Sequence, residues 1–199
     1  MNSLYTPVRI TVPFVDVSIH YNIELIYLYK WNPKSANAPM EYLRRRANLN
    51  TAAKHGHDAG LTELRLMYRF YSQRFVRDLT NAIPDGIDAI VIVPSNSPEL
   101  VEPYRDEIMR EHDMFDLTSR VQRREGVSSS SGHSYEDRLN AMICTTLPSD
   151  RPLRKILILD DVLHTGLSVA GVAKALSAHL QSPEIVAACP LWVPMSCKQ

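Results

Sequence analysis

The sequence has little that would commit the protein to a membrane, to nucleic acid or to a disulfide framework. Its 22 basic and 22 acidic residues give a formal net charge of zero, so no overall field attracts nucleic acid. No apolar run approaches the roughly 18 residues of a membrane helix, and the N-terminal segment does not have the pattern of a signal peptide. Cys144, Cys189 and Cys197 are an odd number without C-x-x-C spacing, which favours reduced thiols. We therefore expect a cytoplasmic protein without a membrane or nucleic-acid partner.

The apolar pattern predicts one domain of the α/β class over residues 1–199. The composition, 45% apolar and 22% charged, is that of an ordinary globular protein. Strands are predicted over Val8–Val15, Glu24–Tyr29, Ala89–Val93, Asp116–Val121, Ile156–Leu159 and Ile185–Val193. Helices are predicted over Met40–Ala53, Leu61–Ile83, Pro98–His112, Ser134–Thr146 and Val169–Leu180. The fourth of these helices begins with a capping box of Ser134 and Asp137. This alternation predicts a parallel sheet with helices on both faces.

Segment 155–168 is the most informative part of the chain. Its apolar run Ile156–Leu159 is typical of a strand that is covered on both faces. Asp160 and Asp161 follow at the carboxyl end of this strand, where open α/β sheets bind their ligands. A turn with Gly166 then opens a helix, whose first N–H groups form an anion site. The segment therefore predicts carboxylates beside a phosphate site, which together suit a sugar phosphate.

This segment resembles the signature by which type I phosphoribosyltransferases bind phosphoribosyl diphosphate (PRPP). The matching positions are Asp160, Asp161, Thr165, Gly166 and Ser168. The resemblance implies that the two acids bind the ribose hydroxyls and that the turn binds the 5-phosphate. It assigns PRPP binding to Asp160, Asp161, Val162, Leu163, His164, Thr165, Gly166, Leu167 and Ser168.

Two further segments have the order that the resemblance requires. Ser95, Asn96 and Ser97 follow a predicted strand and correspond to the family's first turn, which binds the diphosphate of PRPP. Arg123 and Arg124 lie in a polar loop that, in several members, closes over the departing diphosphate. The resemblance therefore implies that these two arginines, together with the two acids, are the catalytic residues.

The resemblance also implies a cofactor and a fold. The resemblance implies no direct metal site: Mg²⁺ would enter through PRPP, and Asp160 and Asp161 are the residues that could contact it. The order of elements is similar to that of the ComF-like branch, which implies a parallel sheet flanked by helices, an N-terminal hood within residues 1–85 and an α/β core over residues 86–199. The acceptor would be a nitrogen nucleophile. The Arg-Gly-Phe-Asn stretch and the cysteine-rich segment common in that branch are absent from this sequence.

The residues leave other interpretations open. The two acids also suit a structural role in which they cap the helix that follows. The same fold serves as a catalytically silent regulator that binds PRPP or a nucleotide, or as an interaction protein, including an effector in competence or phage defence. A homodimer or a protein partner is compatible with each of these interpretations.

Overall fold

The computed structural model describes residues 8–11, 22–34, 37, 43, 73–95, 98–125, 134–148 and 152–193. For residues 8–11, 22, 99 and 135 it describes the backbone alone. Among the residues named above, Asn96, Ser97 and Cys197 lie outside the described residues. Of the predicted helix over Met40–Ala53, only Leu43 is described, and it is helical.

A mostly parallel sheet forms the centre of the protein. The strands within the described residues are β1 (Val8–Thr11), β2 (Asn22–Lys30), β3 (Ala89–Ile92), β4 (Phe115–Asp116), β5 (Val121–Arg123), β6 (Met142–Cys144), β7 (Lys155–Leu159), β8 (Val162–Leu163) and β9 (Glu184–Trp192). The helices there are α1 (residues 73–80), α2 (Glu102–Glu111), α3 (Tyr135–Leu139) and α4 (Leu167–Ser177). The central sheet has the order β1-β2-β9-β7-β3-β4, and β8 pairs with the end of β9. Only the β1–β2 pair of this sheet is antiparallel, while β5 and β6 form a separate antiparallel pair.

Strand β7 lies in the middle of the sheet, between β3 and β9. Its side chains alternate between two apolar clusters. Leu157 and Leu159 belong to the cluster that includes side chains of α1 and α2, whereas Ile156 and Ile158 belong to the cluster that includes α4. Each such buried side chain contributes about 1.5–3 kcal/mol to folding. Helices therefore cover both faces of the sheet, as the sequence predicts.

The N-terminal part of the chain contributes strands to this same sheet. The predicted strand Glu24–Tyr29 is confirmed as part of β2, which pairs with β9 in parallel. Strand β1 covers the first half of the predicted strand Val8–Val15. Residues 1–85 thus extend the sheet by two strands. The hood expected within these residues stays a prediction.

Two predictions for the middle of the chain are wrong. The predicted strand Asp116–Val121 is divided into β4, a 3₁₀ turn at Thr118–Arg120 and β5. The predicted helix Ser134–Thr146 begins at its capping box as expected but ends at Leu139. The chain after it forms β6, whose backbone pairs with β5. Pairing with a nearby strand outweighs local helical spacing here, because strand formation depends strongly on tertiary context.

The predicted helix over Pro98–His112 is also divided. A 3₁₀ turn over Pro98–Leu100 precedes α2, and Pro103 lies in the first turn of α2, where a missing N–H is tolerated. None of the described helices is long and apolar enough to cross a bilayer. Cys144 is a half-buried free thiol, and Cys189 is buried.

Candidate functional site

A cavity of about 260 Å³ opens at the carboxyl edge of the central sheet. The whole of segment 160–168 lines it, together with Val93, Ser95, Arg123 and Arg138. These residues come from the ends of β7 and β3, from β8, from the start of α4, and from β5 and α3. The structure therefore brings all nine residues of the predicted PRPP segment to one cavity, with a serine of the first turn and one arginine of the polar loop.

The two acids follow β7 directly. The Asp160 N–H donates to the Ala188 carbonyl at 3.1 Å, which continues the pairing of β7 with β9. Oδ1 of Asp160 accepts from the Asp161 N–H at 2.9 Å, and Oδ1 of Asp161 accepts from the Val162 N–H at 2.8 Å. Each carboxylate is thus fixed to the backbone of the next residue. Both line the cavity.

Asp160 is in an unfavourable environment for a negative charge. The protein encloses this side chain, although part of its surface remains exposed. Burial, and then the neighbouring charge of Asp161, raise the pKa of Asp160 well above its usual value, and Arg123 opposes this shift. A cation or a hydrogen-bond donor of a ligand would relieve the cost of ionising this group.

The turn before α4 provides the second part of the site. Gly166 has a φ of 73°, a left-handed conformation that favours glycine. Oγ1 of Thr165 accepts from the Leu167 N–H at 3.3 Å, and the Gly166 carbonyl accepts from the Ala170 N–H at 2.8 Å. Gly166, the N-cap residue of α4, makes no side-chain cap, and the carboxylates of the two acids accept from the Asp161 and Val162 N–H groups, which lie before the helix. The interpretation in which the two acids cap this helix is therefore wrong.

The first turn, after β3, lies next to β7. The Val93 N–H donates to the Leu159 carbonyl at 2.9 Å, which holds the start of this turn beside the acid pair. Ser95 is exposed and lines the cavity. On the other side of β3, Oγ1 of Thr118 accepts from the Ile92 N–H at 3.2 Å. The turn is therefore anchored on both sides, and Ser95 is the member of the predicted diphosphate site that the structure describes.

Arg123 approaches the cavity from β5. Its Nη2 donates to the Pro94 carbonyl at 2.6 Å, so it also contacts the first turn. Its Nε is buried and has no hydrogen-bond partner among the described residues. Burial lowers the pKa of the Arg123 guanidinium; the charge of Asp160 opposes this change and that of Arg138 adds to it. Arg123 is thus a half-buried cation in the wall of the cavity.

Arg124 differs from its neighbour. Its side chain is exposed and does not line the cavity, while its N–H donates to the Ala141 carbonyl at 2.7 Å. Successive side chains of a strand point to opposite sides, so the end of β5 directs only one of the two arginines to the site.

Arg138 is a cavity residue that the sequence analysis missed. It lies on α3, one residue after Asp137 of the capping box, and is half-buried. The capping box could have pointed to Arg138, because it fixes where the helix that carries this residue starts. The predicted extension of the helix to Thr146 hid the return of the chain through β6, which places α3 beside the cavity.

The acids fit a magnesium ion that arrives with its ligand. Mg²⁺ usually takes one or two carboxylates and completes its shell with water and phosphate oxygens. Asp160 and Asp161 supply two adjacent carboxylates at the cavity. Within the described residues there is no cluster of three or more His, Cys, Asp or Glu side chains that could hold a metal by themselves. The arrangement thus suits a metal that a phosphorylated ligand also contacts.

Comparison with known proteins assigns no family, so the interpretation of the site rests on its geometry. No protein-family model matches the chain, and no curated protein matches it either. The cavity combines carboxylates, a helix N-terminus and two arginines, a combination suited to a small ligand with hydroxyls and more than one anionic group.

Proposed function

We propose that this protein binds PRPP with Mg²⁺ and transfers its phosphoribosyl group to a nitrogen acceptor, with release of diphosphate. The observation that supports this proposal best is the composition of one cavity. Asp160, Asp161 and the turn at Gly166 line it together with Ser95 and Arg123. Its volume of about 260 Å³ suits a compact ligand such as a phosphorylated sugar.

The two ends of PRPP would contact different parts of the cavity. The carboxylates of Asp160 and Asp161 accept hydrogen bonds from the ribose hydroxyls. The turn from Leu163 to Ser168 receives the 5-phosphate, because the N–H groups at the start of α4 favour an anion. Ser95 and Arg123 lie where a second anionic group, the diphosphate, would meet a hydroxyl and a guanidinium.

The proposed reaction breaks the bond between the anomeric carbon and a diphosphate oxygen. The leaving diphosphate keeps the electron pair, and the acceptor nitrogen forms the new bond to the anomeric carbon and loses its proton. Negative charge develops on the leaving group, and Arg123 stabilises it from β5. Bound Mg²⁺ would supply further charge stabilisation on phosphate oxygens. The acid pair holds the sugar during the transfer.

Isothermal titration with PRPP, with and without Mg²⁺, tests the binding step. We expect Mg²⁺-dependent binding with one site per chain. A coupled assay for diphosphate release, run with a panel of nucleobases, tests transfer. Binding together with acceptor-dependent release would support the proposed enzyme.

A regulator without catalysis is the alternative that the same assays separate from the enzyme. It would bind PRPP but release no diphosphate with any acceptor of the panel. A folded sample that binds neither PRPP nor a related nucleotide would contradict both functions.

A further inference from the structure

Arg138 owes its position to contacts outside its own helix. Helix α3 has five residues, and isolated helices shorter than roughly 12–15 residues are marginal in water. At its start, Oγ of Ser134 accepts from the Asp137 N–H at 3.0 Å, and Oδ2 of Asp137 accepts from the Ser134 N–H at 3.1 Å. This capping box fixes where the helix begins but does not attach it to the rest of the protein.

The other end of α3 is attached to α4. Asn140 follows the last helical residue, and its N–H donates to the Glu136 carbonyl at 2.9 Å. The Oδ1 of Asn140 accepts from Nζ of Lys174, in the last turn of α4, at 2.6 Å. Nearby, a Cβ added to Gly171 would lie 3.2 Å from the Leu139 carbonyl oxygen, so the two helices are in close contact. Helix α3 therefore depends on α4 for its position.

Helix α4 thus lines one part of the cavity directly and also contacts the elements around Arg138, which lines another part. Its first residues, Leu167 and Ser168, line the cavity beside the acid pair. Gly171 in its middle and Lys174 in its last turn contact the end of α3, which carries Arg138. After its last turn, the His179 ring lies 3.1 Å from the Cys144 carbonyl of β6. The strand and the helix around Arg138 are both attached to the helix whose N-terminus meets the ligand.

Among the described residues that line the cavity, two arginine side chains would benefit from an anion. Arg123 and Arg138 both line it, and the Nε of Arg123 is buried without a hydrogen-bond partner among the described residues. Like charges that line one small cavity repel each other, and a phosphoryl oxygen would relieve this repulsion and accept from the guanidinium groups.

We propose that Asn140 and Lys174 are positioning residues, whose hydrogen bond holds α3 on α4 so that Arg138 joins Arg123 in binding one anionic group of the ligand. Neither Asn140 nor Lys174 lines the cavity, so they act through Arg138. The inference rests on the proposed function for the identity of the ligand as PRPP. Binding at the anion site itself can be tested with inorganic diphosphate as the probe.

The test is a double-mutant cycle on diphosphate affinity, measured by titration calorimetry. Arg138→Gln and Lys174→Met should each weaken diphosphate binding roughly tenfold, the usual effect of losing a charge-assisted hydrogen bond. The combined variant should be no weaker than Arg138→Gln alone, because Lys174 acts only through Arg138. A purely structural role of Lys174 would instead add to the loss in the combined variant.

Matched variants separate positioning from general damage. Asn140→Asp keeps the oxygen that accepts from Lys174 and should retain diphosphate affinity, whereas Asn140→Leu should lose it. Lys155→Met removes a lysine that pairs with Glu184 at the opposite edge of the sheet and should leave affinity unchanged. Thermal unfolding of each variant checks that it is folded.

The outcomes distinguish this inference from the proposed function. If Lys174→Met and Asn140→Leu are folded and bind diphosphate as the wild type does, the positioning role is wrong, whatever PRPP does. Absence of diphosphate binding by the wild type would overturn the inference as well. If the cycle behaves as expected but no acceptor supports PRPP turnover, the positioning role stands and the transferase fails.

Discussion

The two ends of strand β7 both have aspartate carboxylates beside them, but the protein treats these acids differently. At the amino end, Oδ2 of Asp88 accepts hydrogen bonds from the backbone N–H groups of Arg154 at 2.7 Å and Lys155 at 2.8 Å. The Lys155 ammonium in turn pairs with Glu184 at 2.8 Å. Asp88, Lys155 and Glu184 each have a partner within the protein, so the charges at this end of the strand are compensated.

At the carboxyl end, the charges are not balanced in the same way. Asp160 and Asp161 are adjacent, and burial together with Asp161 raises the pKa of Asp160. The guanidinium groups of Arg123 and Arg138 line the same cavity, and burial, followed by the charge of Arg138, lowers the pKa of Arg123. Perturbed groups of this kind concentrate at functional sites, because a ligand can supply what the protein leaves unbalanced. The contrast gives the acid at one end of β7 a stabilising role, and it is the basis for proposing a ligand site at the other end.

Removing both acids at the carboxyl end should have the largest effect. The variant Asp160→Asn with Asp161→Asn should lose PRPP affinity by about 100-fold or more, because hydrogen bonds to charged groups contribute roughly 1.5–3 kcal/mol each. Titration calorimetry measures this loss. Asp85→Asn, which removes an exposed acid before β3, is the matched control and should bind normally. Normal binding by the double variant would remove the acid pair from the site.

Removing the acid at the amino end should instead affect folding. Asp88→Ala leaves two backbone N–H groups without their acceptor, so the free energy of unfolding should fall by about 1–3 kcal/mol. Urea denaturation gives this value. PRPP affinity of the folded variant should stay within about twofold of the wild type, since a change confined to the far end of β7 alters no ligand contact. A large loss of affinity would break the distinction between the two ends.

The variant Asp160→Asn should stabilise the protein at neutral pH, by on the order of 1 kcal/mol, the usual gain when an unfavourable functional group is removed. Because the pKa of Asp160 is raised on folding, the folded state keeps this proton to higher pH than the unfolded chain does. Wild-type stability should therefore fall as pH rises from the unfolded pKa through the folded one. Thermal unfolding across this range measures the slope.

The comparison with the variant at each pH isolates this group. The difference in stability between Asp160→Asn and the wild type should grow as pH rises through that window and then level off. If the variant is less stable than the wild type at neutral pH, the Asp160 charge is favourable in the fold and the account of the carboxyl end is wrong.

The smallest effect should come from the surface ion pair at the amino end. Lys155→Met breaks the contact with Glu184, but exposed pairs contribute only about 0–1 kcal/mol. We expect a change in the free energy of unfolding below about 1 kcal/mol, and a smaller one still at high salt, where the wild-type pair is screened. A larger destabilisation would mean that this pair supports the sheet edge more than its exposure indicates.

The features that the sequence predicts well are those set by local patterns. The buried strand β7, its two acids and the turn with Gly166 lie within one short segment, so their order in sequence determines their order in space. The parallel sheet follows similarly from alternating strands and helices. The capping box of Ser134 and Asp137 was predicted because its two residues bond to each other.

The features that the sequence predicts poorly depend on pairing between distant segments. Strand β6 exists because β5 offers it a partner, and without that knowledge residues 142–144 extend a helix. The choice between Arg123 and Arg124 depends on where β5 ends and on the alternation of side chains at that end, and the predicted strand had other limits. Arg138 lies at the cavity on α3, and the end of this helix contacts α4 through the hydrogen bond between Asn140 and Lys174. Each of these features depends on contacts between segments that are distant in sequence, so no single segment predicts it.

Hydrogen–deuterium exchange with and without PRPP and Mg²⁺ tests the central contrast most directly. The account predicts that ligand slows exchange in peptides covering segment 160–168, while peptides covering 152–157 at the other end of β7 remain unchanged. Equal protection at both ends, or protection at the amino end alone, in a sample that binds PRPP would contradict the assignment of the ligand site to the carboxyl end of the sheet.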